Sequence, residues 1–128
     1  MPETPPEQPV VLLVEDDGLL LMEASDTLSD AGFTVLEAPH ADKALKVLEN
    51  RDDVGILMTD VDMPQGSMDG FALARLVADR WPAIPVLIVS GMGTPGPNDM
   101  PDGARFIPKP YEPTTLVRTL RAFARRAA

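Results

Sequence analysis

The sequence predicts an α/β domain: a doubly wound, five-stranded parallel sheet with helices on both faces. Two observations carry this. An apolar, strand-like run followed by a helix-like stretch recurs about five times along 128 residues. The runs are also apolar throughout rather than alternating, as strands covered on both faces must be. Right-handed crossovers then leave the doubly wound sandwich as the arrangement that covers both faces. A chain of this length buries roughly two thirds of its unfolded surface around one core, so a single domain is expected.

The elements follow in order. Val10 to Val14 is a continuous apolar run of the buried-strand type. Asp17 then offers an N-cap to a helix on which Leu20, Ala24, Leu28 and Ala31 fall on one face, and Gly32 ends it. Phe33 to Leu36 reads as the second strand, and Ala41 to Glu49 as the second helix, with Ala44, Leu45 and Leu48 inward. His40, in the connection between them, reads as a solvated or capping residue rather than a ligand. Gly55 to Thr59 is the third strand. Asp69 caps a third helix that runs through Arg80 and is stopped by Pro82, and Ile84 to Val89 is a fourth strand rich in β-branched residues. Residues 91–102, GMGTPGPNDMPD, contain three prolines, so the helix that should follow is expected to be short, distorted or missing. Arg105 to Ile107 is a short fifth strand, and Pro113 opens a last helix to about Arg126. Residues 1–9, with four prolines and two glutamates, are expected to form a disordered tail ahead of a domain spanning 10–128.

Composition narrows the functional classes. Twenty acidic and 11 basic residues give a net charge of −9, which argues against direct binding to nucleic acid. The charge is uneven, since residues 105–128 carry +5 and residues 1–104 carry −14. With no cysteine there is no disulfide, no thiolate nucleophile and no sulfur-ligated zinc. No apolar stretch approaches a membrane span and the N-terminus lacks the pattern of a secretory signal, so a soluble, cytoplasmic protein without membrane association is expected.

In a doubly wound sheet the functional crevice lies beyond the carboxyl ends of the strands. The first strand ends in Glu15, Asp16 and Asp17, and the third in Asp60, with Asp62 two further on. Ser90 ends the fourth, and Lys109 follows the fifth. If the first and third strands are neighbours, four or five carboxylates converge, a hard-oxygen set suited to Mg²⁺ or Ca²⁺. The lysine and hydroxyl opposite suit a phosphoryl ligand. The residues therefore point to a magnesium-dependent phosphoryl site. Gly91, Gly93 and Gly96 spell the G-x-G-x-x-G of a dinucleotide turn, but Pro95, Pro97 and Pro101 prevent the helix that motif requires.

Four motifs, VLLVEDD at 11–17, MTDVDMP at 58–64 with MDG at 68–70, VLIVSG at 86–91 and ARFIPKPY at 104–111, resemble those of response-regulator receiver domains of bacterial two-component signalling. The resemblance runs from about Val10 to Arg126 and implies the flavodoxin-like strand order 2-1-3-4-5. It implies Asp60 as phosphoacceptor and Glu15 and Asp16 as the acidic pair that binds Mg²⁺, Glu15 through water, with Asp60 and the main-chain carbonyl of Asp62 completing the protein ligands. Lys109 matches the lysine that pairs with the phosphoryl oxygens, Ser90 the hydroxyl that bonds the phosphoryl group, and Phe106 the aromatic switch residue. A cis Lys109–Pro110 bond is implied as well. The implied partners are a sensor histidine kinase or histidine phosphotransfer domain and an unknown downstream protein. The chain is expected to catalyse its own phosphorylation and dephosphorylation without being a turnover enzyme.

Two other readings remain open at this point. Asp60-Val61-Asp62 also resembles the D-x-D of aspartyl-phosphate phosphatases of the haloacid-dehalogenase type, and a pseudo-receiver would bind partners without chemistry. Gln65, Gly66 and Ser67 make the loop beside Asp60 two residues longer than the usual receiver's. With nothing after the last helix, a stand-alone shuttle, phosphate sink or switch is expected, although a receiver excised from a hybrid kinase has the same appearance. Leu19 and Met22 fall outside the inward set of the first helix and suggest a docking patch for a phosphotransfer domain. Arg118, Arg121 and Arg125 recur at helical spacing and suit an acidic partner.

Overall fold

The computed structural model describes residues 9–63, 67–91, 95, 96 and 98–127, with side chains through Phe123. The strands are β1 (Val10–Val14), β2 (Thr34–Ala38), β3 (Val54–Asp60), β4 (Val86–Ser90) and β5 (Arg105–Pro108). The helices are α1 (Gly18–Asp30), α2 (Ala41–Asn50), α3 (Gly70–Arg80) and α4 (Pro113–Ala127). All strands pair in parallel in the order β2-β1-β3-β4-β5, as expected.

Strand periodicity sends alternate side chains to opposite helical layers. Leu12, Val14, Leu57 and Ile88 meet Ala44 and Leu48 of α2 and Leu73 and Val77 of α3. Val11, Leu13, Ile56, Met58, Leu87 and Val89 meet Ala24 and Leu28 of α1 and Leu116, Leu120 and Phe123 of α4. That is why the central strands read as unbroken apolar runs: each full burial stabilises the fold by about 1.5–3 kcal/mol, so both faces demand apolar residues. Fully exposed strand positions appear only at the edges, in β2 and β5, while β1 and β3 are half-buried at Val10, Gly55 and Asp60 alone. The β1–β3 register shifts between Val10 and Val11, leaving Gly55 unpaired; a Cβ there would stand 2.7 Å from Pro9 Cβ, so a bulge and a glycine coincide.

Capping follows the sequence. Asp17 accepts from the amides of Leu19 and Leu20 at 3.0 and 3.1 Å, His40 Nδ1 from Lys43 at 3.2 Å, and Asp69 from Ala72 at 2.8 Å. At the end of α1, Phe33 N–H bonds Leu28 O and Gly32 N–H bonds Ser29 O, with Gly32 at φ 97. This Schellman closure uses the buried Phe33 as its apolar lock, so β2 begins one residue later than the apolar pattern suggests. The other strand limits shift similarly: β3 gains Val54 and Asp60, while β4 starts at Val86 because Ile84 N–H is held by Trp81 O in a turn.

One face assignment is corrected. Leu20 is 39% exposed and joins Leu19 and Met22 on the surface, while half-buried Leu21 packs with Ala24, Leu28 and Ala31. Steps of four residues advance about 40° round the helix each time, so a row read as 20, 24, 28 drifts off the seam, whereas 21, 24, 28, 31 stays on it. Among the described residues between Ser90 and Arg105 there is no helix, in line with the proline content. The tail at residues 1–8, Gln65 and Gly66 of the longer loop, Gly93 of the glycine pattern and the Arg125 side chain lie outside what is described.

Candidate functional site

β1 lies between β2 and β3, so the chain leaves β1 in one direction and later returns on its other side; a crevice opens at this reversal, beyond the carboxyl ends. Val14 pairs with Thr59, which sets Glu15 level with Asp60 on the adjacent strand end. Carboxylate oxygens of Glu15, Asp16 and Asp60 all lie within 4.8 Å of one another. Ser90 O accepts from Lys109 N–H at 2.9 Å, which ties the residue after β5 to the end of β4. The Lys109–Pro110 bond is cis, as the resemblance implied. Lys109 Nζ reaches Glu15 Oε1 at 2.8 Å and Asp60 Oδ2 at 3.3 Å, and both carboxylates are largely buried.

Backbone groups fix the acids further. Asp60 Oδ1 accepts from Val61 N–H at 2.8 Å, and the buried Thr59 hydroxyl donates to Asp60 O at 2.8 Å. Asp17 N–H reaches Glu15 Oε2 at 3.3 Å. The start of α3 presses on the same strand end: Gly70 N–H bonds Val61 O at 2.9 Å, and a Cβ on Gly70 would fall 1.9 Å from Asp60 O.

The electrostatics follow from burial. Glu15 is pushed above the ordinary carboxylate range by desolvation, offset in part by Lys109 and reinforced by the Asp60 charge. Asp16 is also raised, first by desolvation and then by Glu15. For Lys109 desolvation is the largest single influence and works against ionisation, but the hydrogen bond to Glu15 and the charges of Asp60 and Glu15 together prevail and raise it. Among the described residues, then, one lysine ammonium pairs with two carboxylates while a third, that of Asp16, lies beside them, a site short of positive charge.

Not every expected acid converges. Three carboxylates come together rather than four or five: that of Asp17 is engaged in capping α1, and Asp62 is exposed past the strand end. Ser90 is buried at the end of β4, and half-buried Phe106 packs into the layer of α2 and α3. Tyr111, quoted in the motif but given no role there, lines a cavity of about 370 Å³ together with Glu15, Leu20, Glu23, Asp60 and Lys109. Its phenol is raised by burial, with further upward pushes from Glu15 and Glu23. Sequence spacing does not reveal such a residue, because its place depends on how the connection after β5 folds against α1.

Known proteins decide the family. The model of the response regulator receiver domain matches residues 11–121. The chain belongs to this receiver family of bacterial two-component systems. Receivers in longer proteins resemble it: the C4-dicarboxylate transport transcriptional regulatory protein DctD of Rhizobium meliloti is 38% identical over 88% of this chain. Sensor kinase CckA of Brucella abortus is 35% identical over 87% of it. The chain spans 25% and 12% of those two relatives. A response regulator receiver protein from Sinorhizobium medicae superposes with a TM-score of 0.85 at 27% identity, covering 95% of this chain and 98% of that one. NtrX from Brucella abortus superposes with a TM-score of 0.84 at 25% identity over 94% of this receiver and 28% of NtrX.

Proposed function

We propose that Asp60 accepts a phosphoryl group from a histidine kinase or histidine phosphotransfer domain and that the receiver acts as a phosphorylation-controlled switch or relay shuttle. The observation that carries this is the meeting of Lys109 Nζ with Asp60 at 3.3 Å inside a three-carboxylate hollow. An Asp60 carboxylate oxygen attacks phosphorus, the P–O bond forms, the P–N bond to the donor histidine breaks, and the imidazole leaves with a proton. Lys109, held cationic by its acidic neighbours, faces the charge that develops on the phosphoryl oxygens. Ser90 at the end of β4 bonds the transferred group, and Phe106 on the neighbouring strand responds to its movement.

The hard-oxygen donors of Glu15, Asp16 and Asp60 fit Mg²⁺ in number, charge and proximity, and the main-chain carbonyl of Asp62 completes the set we assign to it. Bound there, Mg²⁺ supplies charge neutralisation for the phosphoryl oxygens. The phosphodonor docks beside the site on the exposed start of α1, where Leu19 and Met22 are 60% and 54% exposed.

Incubation with acetyl phosphate and Mg²⁺ tests the reading. Label is expected on Asp60, decaying slowly, absent from Asp60→Asn, and formed roughly tenfold or more slowly in Lys109→Ala. Rapid multiple turnover would favour a D-x-D phosphatase, and an unlabelled parent chain a pseudo-receiver.

A further inference from the structure

We propose that the face formed by α1 and α4 is a self-complementary interface that pairs two copies of this chain about a two-fold axis running between the two helices. The two helices lie side by side against one face of the sheet, and each runs back from the carboxyl ends of the strands, so they are parallel. They are also level. Glu23 and Pro113 line the same cavity, and eight residues on from each, Arg121 Nη2 donates to Ala31 O at 3.2 Å.

Opposite charges face outward from the two helices. Asp26 lies two residues from each of the buried Ala24 and Leu28, and Arg118 two residues from each of the buried Leu116 and Leu120. At about 100° per residue both point away from the sheet. Glu23, Asp26 and Asp30 recur at i, i+3 and i+7, forming one exposed acidic row, and exposed Arg118 and Arg121 form a basic row on the neighbouring helix. Among the described residues none of these five side chains is in an ion pair.

A two-fold axis along the helices keeps height and exchanges sides. It lays α1 of each copy over α4 of the other, so that Arg118 of one copy stands between the levels of Asp26 and Asp30 of the other, twice over. A two-fold axis across the helices would instead set acid against acid. Helices of 13 and 15 residues are about 20 Å long, so the face covers roughly 400 Å² per copy, the scale of a reversible contact rather than a permanent one. A net charge of −9 per chain opposes association at long range, but at about 0.1 M salt that repulsion is screened beyond about 10 Å while pairs in contact persist.

Sedimentation of the whole chain at rising concentration tests this, with three samples. The parent is expected to shift from monomer to dimer near 0.1 M salt and to revert near 1 M. The variants Asp26→Lys with Asp30→Lys, and Arg118→Glu with Arg121→Glu, are each expected to stay monomeric. Their equimolar mixture is expected to dimerise, because each charge then meets its opposite in the other copy. Circular dichroism melts check folding, and if loss of the Arg121 bond to Ala31 O unfolds the second variant, Arg118→Glu mixed with Asp26→Lys carries the same test. A monomeric parent at every concentration would assign the rows to an unlike partner and overturn the proposal. So would variants that dimerise like the parent, or a mixture that stays monomeric.

Discussion

Glu15 is 6% exposed, with Lys109 on one side and Asp60 on the other. Burial and the Asp60 charge outweigh the help from Lys109, so the folded state raises its proton affinity, and Asp16 is raised beside it. A carboxyl raised on folding binds more protons folded than unfolded in the window between its two values. The metal-free protein therefore gains stability as pH falls from neutral through the raised values and loses that gain as pH rises again. Mg²⁺ requires both groups ionised, so its effect has the opposite sign. The rise in melting temperature that Mg²⁺ produces should shrink on acidification, beginning above the ordinary carboxylate range. Melting curves with and without Mg²⁺ across pH check this, and an increment that stays constant into that range would contradict it.

At the scale of elements, α1 depends on how it stops. Gly32 holds a left-handed φ of 97 so that two carbonyls find donors and Phe33 turns into the core. Gly32→Ala should cost about 1 kcal/mol in denaturant unfolding with an unchanged slope, since a Cβ is disfavoured there. This helix also illustrates what the amino-acid order conveys. Gly32 as terminator and Asp17, Asp69 and His40 at helix starts were legible, because capping is local chemistry. The strands were legible because burial on both faces leaves little but apolar residues. The seam of α1 was misread by one position at Leu20, as a run of neighbouring leucines offers two nearly equivalent rows and only the sheet chooses between them. At the site, Glu15, Asp16, Asp60 and Lys109 were legible from their places at strand ends. The Tyr111 wall of the cavity and the press of Gly70 on Asp60 were not, since both are distances between segments far apart in the chain.

Over the whole molecule, charge is the dominant asymmetry: −14 through residue 104 and +5 beyond it. Three of the acids, Glu15, Asp16 and Asp60, meet at the carboxyl ends of β1 and β3, where a divalent cation that binds the folded state alone would stabilise it. At a Mg²⁺ concentration about tenfold above Kd the gain is about 1.4 kcal/mol, or about 5 °C in melting temperature. Asp16→Asn should remove most of this gain while leaving the metal-free melt close to that of the parent or slightly higher. An equal Mg²⁺ response in parent and variant would remove Asp16 from the metal set.

The seat of Gly70 against the Asp60 carbonyl bears on how this protein can vary. At position 70 a new side chain meets main chain 1.9 Å away, held in place by the bond from Gly70 N–H to Val61 O. No rotamer relieves that overlap, so any replacement must displace the peptide that carries Asp60. Saturation mutagenesis at residue 70, scored by labelling of Asp60, should return glycine alone, and even alanine should score as a loss. The freedom of this sequence to drift is thus narrowest at a position that carries no chemistry of its own.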